Sequence, residues 1–454
     1  MKKSSKFEQM TTQSVPKLIV RLSVPTIITM LVSAFYNMAD TYFVSKINTS
    51  VTAAVGVVFS VMAFLQAIGF FIGQGSGVNI SQMLGKKDSK NAESIASTAL
   101  LTAVGVGIVI AILGLFFSGR MALALGATPT ILPYASSYLR VILLGTPFIL
   151  GSFVMNNHLR FQGSAMYSMI GMLSGSLLNV ALDPLFIFKF KMGITGAAAA
   201  TAIGQAVSFL ILLLMSRRGE NIRYSIKKFK FSKTYYAMIF KNGLPSLSRQ
   251  GIAAAATIAV NFAAQPFGDG AIAGMSVFNR VSFFVFAAVI GFGQGFQPVC
   301  GFNYGAKLYG RVNKGFWFCV KVNTVFLTAA AVVCYAFAPQ IISLFRDDAE
   351  VISTGVNALR FQCIAYPIFG FCSISNMFLQ ATGKSVKATV LALSRQGIFF
   401  IPSIIVLSHA LGLRGIEMTQ MIADFLTFII TVFIVTPDLK RLSKYSKNGD
   451  VKKA

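Results

Sequence analysis

The sequence predicts an all-α membrane protein whose twelve transmembrane helices form two related six-helix bundles. Three observations lead to this fold class. First, 55% of the residues are hydrophobic and only 12% are charged, about half the charged share of a soluble domain. Second, apolar runs of about twenty residues or more recur along the chain, each long enough to cross a bilayer as a helix. Third, the second half of the chain repeats the first.

The apolar runs and the polar stretches between them predict the elements in order. Helices are expected at about 18–44, 51–83, 94–117, 132–155, 164–188, 193–216, 235–265, 271–300, 315–338, 353–379, 386–409 and 412–436. They divide the chain into a basic tail (1–16), an N-lobe (17–216), a cytoplasmic linker (217–234), a C-lobe (235–436) and a second basic tail (437–454). The linker marks the lobe boundary because it is dense in Lys and Arg and lacks an apolar period. The first apolar run is too long for a cleavable signal peptide and is expected to remain as the first span.

The net charge of +26 reflects topology. Most of the Lys and Arg residues fall in the termini and the alternate loops that one orientation places in the cytoplasm. This positive-inside pattern predicts that both termini are cytoplasmic and that the number of spans is even. We therefore expect the basic excess to meet anionic membrane lipids and not nucleic acid.

The internal repeat appears when the two halves are compared at a shift of 220 residues. The matches include Pro25 with Pro245, Gly73-Gln74-Gly75 with Gly293-Gln294-Gly295, Leu139-Arg140 with Leu359-Arg360 and Pro147 with Pro367; at a shift of 218–219, Pro184 meets Pro402 and Gly193 meets Gly412. Because each half has six helices, both halves have the same topology. Such repeats are typical of secondary transporters that bind substrate between their halves. The glycine stretches lie inside apolar helices, so they are expected to serve packing or bending and not phosphate binding.

The N-terminal half carries acids inside its apolar segments. Asp40 is the only acid of the first segment, where an ionised side chain costs about 2.5–3.5 kcal/mol near the bilayer centre. Asn179 and Asp183 are four residues apart, on one helix face, and Pro184 follows them. Together with Thr201, these side chains offer oxygen atoms that suit a monovalent cation or a proton. The outer members of this predicted site are Tyr36, Tyr138 and Asn156. The alternative is that each acid is satisfied separately by a neighbouring helix.

The C-terminal half carries different charges, because Val260 and Ile401 stand where the repeat would place the two acids. Arg249 and Arg395 each lie in an identical Ser-Arg-Gln-Gly tetrapeptide. We predict that Arg249, Arg395, Glu417 and Asp424 belong to one cavity in the C-lobe. The two arginines could line that cavity, pair with the acids or contact an anionic substrate, and the sequence leaves these choices open.

Catalytic motifs are missing from the sequence. It contains neither a nucleophile–His–acid set nor a P-loop nor a metal motif, and it has two histidines. The five cysteines lack CxxC spacing and are expected to be buried apolar residues. We therefore predict neither an enzyme nor a cofactor, and no metal other than a coupling Na⁺.

Three sequence stretches carry a resemblance to a known family. Asn-Met-Ala-Asp-Thr (37–41) and Asn-Val-Ala-Leu-Asp-Pro-Leu-Phe-Ile-Phe (179–188), with Gly-Ile-Thr-Gly-Ala-Ala-Ala-Ala-Thr (193–201), resemble the multidrug and toxic compound extrusion (MATE) family, in its bacterial DinF- and MepA-like branch. The resemblance covers about residues 17–436. It implies an antiporter of the bacterial inner membrane that expels organic, often cationic, compounds in exchange for H⁺ or Na⁺. The expected functional form is a monomer.

The resemblance also bears on the site. It implies that Asp40, Asn179, Asp183 and Thr201 bind the coupling ion, with Tyr36, Tyr138 and Asn156 in the supporting network. One departure matters: some members have a carboxylate in the seventh helix, where this chain reads Ser248-Arg249-Gln250-Gly251. That second cation site is therefore not expected here. The competing function is a lipid-linked oligosaccharide flippase of the same superfold, whose anionic headgroup would suit the C-lobe arginines; a receptor or channel is a third class.

Overall fold

The protein is described by a computed structural model covering residues 5–346 and 348–450, with side chains at all of these positions except Asn37, Thr49 and 447–450. Throughout this range the regular structure is helical, without strands. The predicted basic tails 1–16 and 437–454 lie partly outside it. The Asn37 side chain, which shares a predicted helix face with Asp40, also lies outside it.

Each of the twelve predicted segments is helical, which confirms the fold class. The N-terminal half contains α1 (Lys6–Thr12), α2 (Val15–Ser45), α3 (Thr49–Gly85), α4 (Ser89–Ala124), α5 (Leu132–Leu144), α6 (Thr146–Phe161), α7 (Ala165–Pro184) and α8 (Gly193–Ser216). The C-terminal half contains α9 (Lys233–Ala264), α10 (Asp269–Gly305), α11 (Tyr309–Ala336), α12 (Ala338–Ser343), α13 (Ala349–Ala381), α14 (Ser385–Leu393), α15 (Phe400–Leu411) and α16 (Leu413–Asp450). The short helices α1 and α12 were not predicted, and α16 continues into the predicted basic tail.

Two predicted helices are interrupted. The segment predicted at 132–155 consists of α5 and α6, which meet at Gly145 with a bend of 53°. Pro147 explains the break, because proline cannot donate the backbone hydrogen bond that would continue α5. The segment predicted at 386–409 is split by a π-helical turn, Ser394–Ile398, which contains Arg395.

Ten helices of the described chain are long and apolar enough to cross a membrane, or eleven if α5 and α6 count as one span. The chain is therefore a multi-pass membrane protein. The remaining predicted span is α9, which is long enough to cross a membrane but is less apolar than the other spans. Lys241, Asn242 and Arg249 within it explain the lower apolar character.

The chain forms two compact units, whose limits differ from the predicted ranges 17–216 and 235–436. One unit contains Ile28–Gly243, and the other contains Met10–Ile27 together with the chain from Leu244 onward. The start of α2 therefore belongs to the second unit, and the start of α9 belongs to the first. Pro25 and Pro245, which are partners in the repeat, lie close to these two transitions. The repeat thus includes a reciprocal exchange of helix ends that residue ranges alone did not predict.

Glycines of the two Gly-Gln-Gly motifs allow this exchange, which confirms their predicted packing role. A Cβ atom at Gly75 would lie 2.2 Å from the Ile239 carbonyl oxygen at the start of α9. In the other unit, a Cβ atom at Gly295 would lie 2.6 Å from the main chain of Ser23 on α2. Because a side chain would not fit at either crossing, the helix backbones approach as closely as small residues permit.

The predicted linker is bound to the first unit along much of its length. The Ile222 backbone N–H donates to Gln162 Oε1 at 2.7 Å, and the Lys230 N–H donates to Thr98 Oγ1 at 3.1 Å. Lys228 also pairs with Glu93 on α4. These bonds satisfy linker backbone groups that have no helical partner, so the linker has a defined path.

Candidate functional site

The predicted N-lobe residues lie on three helices of the first unit. Asp40 is on α2, Asn179 and Asp183 are on α7, and Thr201 is on α8. α7 and α8 approach closely because Gly175 of α7 lies against Gly204 of α8, where a Cβ atom would be 2.2 Å from a carbonyl oxygen. This contact brings Asn179 within reach of α8, and its Nδ2 donates to Thr201 Oγ1 at 3.1 Å.

Asp183 occupies the last regular turn of α7, immediately before Pro184. The chain then widens into the π-helical turn Leu185–Lys189, which is closed by a bond from the Phe190 N–H to the Leu185 carbonyl at 2.9 Å. A π-helical turn is rare and is frequently found at functional sites. It ends α7 just beyond the carboxylate, and the Asp183 side chain is fully buried.

A small cavity of about 60 Å³ lies beside α2 and α8. Its lining consists of four predicted site residues, one further threonine and three apolar residues: Tyr36, Asp40, Tyr138 and Thr201, with Thr41, Val55, Phe59 and Met62. Such a volume is enough for a water molecule or a dehydrated monovalent ion. The cavity is therefore of a size that suits an ion and does not suit a drug-sized substrate.

The tyrosines link the two acids electrostatically. Tyr36 and Tyr138 each interact with the Thr201 side chain. Each also lies close enough to Asp40 and Asp183 for an electrostatic interaction with both carboxyl groups. Asp40 and Asp183 also interact with each other. The structure therefore places the two predicted acids near enough to interact, and their shared role in binding an ion remains a prediction.

Several oxygens of this group lack hydrogen-bond donors in the described structure. They are Asp40 Oδ1, Asn179 Oδ1 and both carboxylate oxygens of Asp183. A buried acceptor without a partner costs about 1–3 kcal/mol, and more when it is charged. A bound proton or a cation with oxygen ligands would satisfy these atoms, and either fits the donor set.

Asn156 does not share this arrangement. It lies half-buried on α6, and its backbone carbonyl oxygen accepts a hydrogen bond from Ser168 Oγ at 3.2 Å. It is not among the residues that line the cavity. Its predicted place in the supporting network remains a prediction.

In the second unit, a larger cavity of about 320 Å³ is lined by both predicted arginines. Arg395 forms a two-point ion pair with Asp424, with Nε 2.7 Å from Oδ1 and Nη2 3.3 Å from Oδ2. Its guanidinium also lies over Phe369, 4.1 Å from the ring centroid. Arg249 lines the same cavity without a hydrogen bond or an ion pair among the described residues. The two identical tetrapeptides therefore place their arginines in different electrostatic settings.

Glu417 lies apart from this cavity. Its Oε1 accepts a weak hydrogen bond from Asn357 Nδ2 at 3.4 Å, and it interacts with the charge of Arg414. It does not line the cavity, so the structure does not bring it together with Arg249 and Arg395.

Two glutamines that the sequence analysis missed complete the surroundings of Asp424. Gln362 Nε2 donates to Asp424 Oδ2 at 2.8 Å, and Gln420 Nε2 donates to Oδ1 at 3.0 Å. Gln420 is four residues before Asp424, so helical spacing could have identified it. Gln362 reaches the acid from α13, a contact for which the sequence holds no local signal.

Comparison with known proteins places this fold and these residues in context. The MatE family model matches the chain twice, at residues 25–185 and 245–406. The chain is 29% identical to the Multidrug export protein MepA of Staphylococcus haemolyticus (strain JCSC1435), over 95% of each protein, and 27% identical to that of Staphylococcus aureus (strain MSSA476), over 92% of this chain and 93% of the relative. A solved outward-facing structure of a multidrug resistance MATE family transporter of the MOP superfamily superposes with a TM-score of 0.91 at 27% identity, covering 98% of this chain and all of that one. The two matches fall on the two halves of the internal repeat and together cover most of the chain, which therefore belongs to the MATE family of membrane transporters.

Proposed function

We propose that the protein is a secondary active multidrug efflux antiporter, which exports organic, often cationic, compounds in exchange for H⁺ or Na⁺. The observation that carries this proposal is the pair of interacting carboxylates, Asp40 and Asp183, inside the first unit. Both acids have unpartnered buried oxygens, and Asp40 lines an ion-sized cavity together with other oxygen-bearing side chains. Ionisable groups inside a membrane protein commonly mark ion pathways.

The coupling ion would bind Asp40, Asn179, Asp183 and Thr201, while Tyr36 and Tyr138 would support the site. Binding of a cation or a proton cancels repulsion between the two carboxylates, so it favours one arrangement of the surrounding helices over another. Alternating access follows if that arrangement opens the substrate site to the opposite side of the membrane. Each positive charge that moves inward would contribute about 2.3 kcal/mol per 100 mV of membrane potential.

The relatives support an export function because both are named multidrug export proteins. These names do not favour the alternative of a lipid-linked oligosaccharide flippase. We further propose a location in the bacterial inner membrane with both termini in the cytoplasm, based on the positive-inside pattern. The proposed partners are small organic substrates and membrane lipids, with no nucleic acid, and the active form would be a monomer without a cofactor.

The test uses everted membrane vesicles, in which export appears as uptake of a fluorescent organic cation such as ethidium. Uptake is driven in turn by an imposed outward Na⁺ gradient and by an imposed pH gradient with an acidic interior. The test variant is Asp40→Asn, and the matched control is Asp88→Asn. Asp88 caps α4 at an exposed position, where its side chain accepts from the Asn91 N–H at 3.2 Å, and asparagine is an equally good cap.

We expect one of the two gradients to drive uptake in the wild type and in Asp88→Asn, and thereby to identify the ion. Asp40→Asn should be inserted in the membrane at the same level but should show no gradient-driven uptake, because a neutral amide cannot exchange a proton or balance a cation. Wild-type uptake by a folded Asp40→Asn variant would refute the proposed site. Failure of both gradients with several cations would refute the proposed antiport.

A further inference from the structure

The cavity of the second unit contains one positive charge that the protein does not balance. Arg249 and Arg395 both line it, but only Arg395 is neutralised, by the two-point pair with Asp424. Neither Asp nor Glu is present among the residues that line the cavity. A buried guanidinium without a counter-ion is costly, because desolvation is not offset by an attractive partner. The cavity therefore favours a negatively charged guest.

Other polar groups of the cavity also lack partners. Gln250 Nε2 and Thr427 Oγ1 are both buried without a hydrogen-bond partner in the described structure. Both residues line the same cavity as Arg249. An amide N–H, a hydroxyl and a guanidinium can all donate, so the three groups together call for a ligand with several acceptor oxygens.

Much of the remaining wall of the cavity is apolar. Phe283, Phe286, Ile290, Phe369 and Met377 contribute to it, and Ser373, Asn376, Gln396 and Thr431 add polar groups. The Arg395 guanidinium lies over Phe286 and Phe369, with its centre 4.7 Å and 4.1 Å from the two ring centroids. Because aromatic faces adjoin unpaired donors, the cavity matches a ligand with an apolar body and an anionic end.

We propose that this cavity binds small amphipathic organic anions, with Arg249 as the counter-ion of the ligand's carboxylate and Gln250 and Thr427 as additional donors. The volume of about 320 Å³ accommodates a bicyclic aromatic acid. This proposal extends the proposed efflux function by naming a substrate class for the second unit. The proposed ligand contacts all lie in the second unit and binding can be measured without an ion gradient, so the two proposals can fail separately.

The experiment measures calorimetric binding of 2-naphthoate and of its neutral analogue 2-naphthamide to the full-length protein in phosphatidylcholine nanodiscs, after subtraction of empty nanodiscs. The variants are Arg249→Gln and the matched control Arg280→Gln. Arg280 is an exposed arginine of α10 in the same unit and does not line the cavity. Thermal unfolding of each variant identifies any that fails to fold. If Arg249→Gln does not fold, Arg249→Lys and Thr427→Val replace it, with weakened naphthoate binding expected in both.

We expect the wild type and Arg280→Gln to bind naphthoate at least about tenfold more tightly than naphthamide. Folded Arg249→Gln should lose this preference while it retains the weak binding of the amide. Equal binding of acid and amide by the wild type, unchanged naphthoate binding by Arg249→Gln, or no binding of either compound would overturn the proposal.

An anionic lipid headgroup offers similar chemistry, so the titration is repeated in nanodiscs that contain phosphatidylglycerol. Naphthoate affinity that falls by less than about threefold supports a small organic anion as the ligand. Loss of naphthoate binding there would identify the cavity as a lipid site and would also overturn the proposal. If naphthoate binds as expected but no gradient drives uptake of any substrate, the efflux function fails while this binding site stands.

Discussion

The crossing of α3 and α9 in the first unit makes Gly75→Ala a quantitative test of the packing. The added Cβ would lie 2.2 Å from the Ile239 carbonyl oxygen and 2.9 Å from the Gly243 nitrogen, whereas ordinary contacts begin near 3.4 Å. The obstructing atoms are backbone, so the two helices must separate by about 1 Å. Overpacking of this kind costs about 1–3 kcal/mol, while alanine contributes about 0.5–1 kcal/mol through its greater helix propensity.

The matched control is Gly105→Ala on α4, where an added Cβ meets nothing within 4 Å. It should gain the helix propensity without the steric cost, so the two variants should differ by the steric cost, about 1–3 kcal/mol. The assay follows helix content by circular dichroism as each purified variant is titrated with sodium dodecyl sulfate from the same mild detergent. If Gly75→Ala were as stable as Gly105→Ala, the proposed close crossing of α3 and α9 would be wrong.

Two further predictions concern charged groups. Arg395→Met should destabilise the second unit by about 3–5 kcal/mol, because Asp424 remains buried without its counter-ion. Adding Asp424→Leu should recover most of this loss in the same unfolding assay. If the effects of the two changes were additive, the pairing would be wrong. Near the linker, Lys6 bonds to Asn221, and burial lowers the pKa of Lys6 from 10.5 to about 7, partly opposed by Glu220. Since unfolded Lys6 keeps its proton up to higher pH, the free energy of unfolding should rise between about pH 7 and pH 10 relative to Lys6→Met. Equal pH dependence of the two proteins would contradict this.

The sequence by itself determined the helical class, the positions of the twelve long apolar segments and the internal repeat. The class and the segments follow from composition and from apolar length, which act locally and do not depend on which helices meet, and the repeat follows from motifs that match between the two halves. The sequence also predicted a site formed by Asp40, Asn179, Asp183 and Thr201, because ionisable and polar groups are conspicuous in apolar segments. The structure then joined Asn179 to Thr201 by a hydrogen bond and Asp40 to Asp183 electrostatically.

Only the tertiary structure decided how the helix ends are distributed. The exchange of the starts of α2 and α9 between the two units depends on close approaches at Gly75 and Gly295, which involve residues far away along the chain. The break between α5 and α6 was not predicted, because both helices continue one apolar run, although Pro147 is a local signal for it. The length of an apolar run records neither an interhelical distance nor the size of a bend.

The clearest limit of the sequence lies in the two Ser-Arg-Gln-Gly tetrapeptides. Their local residues are identical, yet Arg395 is paired with Asp424 and packed on aromatic rings, whereas Arg249 is left without a counter-ion in the same cavity. The difference arises because α16 brings its carboxylate to one arginine and not to the other. The electrostatic role of a buried charge is set by its neighbours across the packed helices, and only the folded chain determines which neighbours those are.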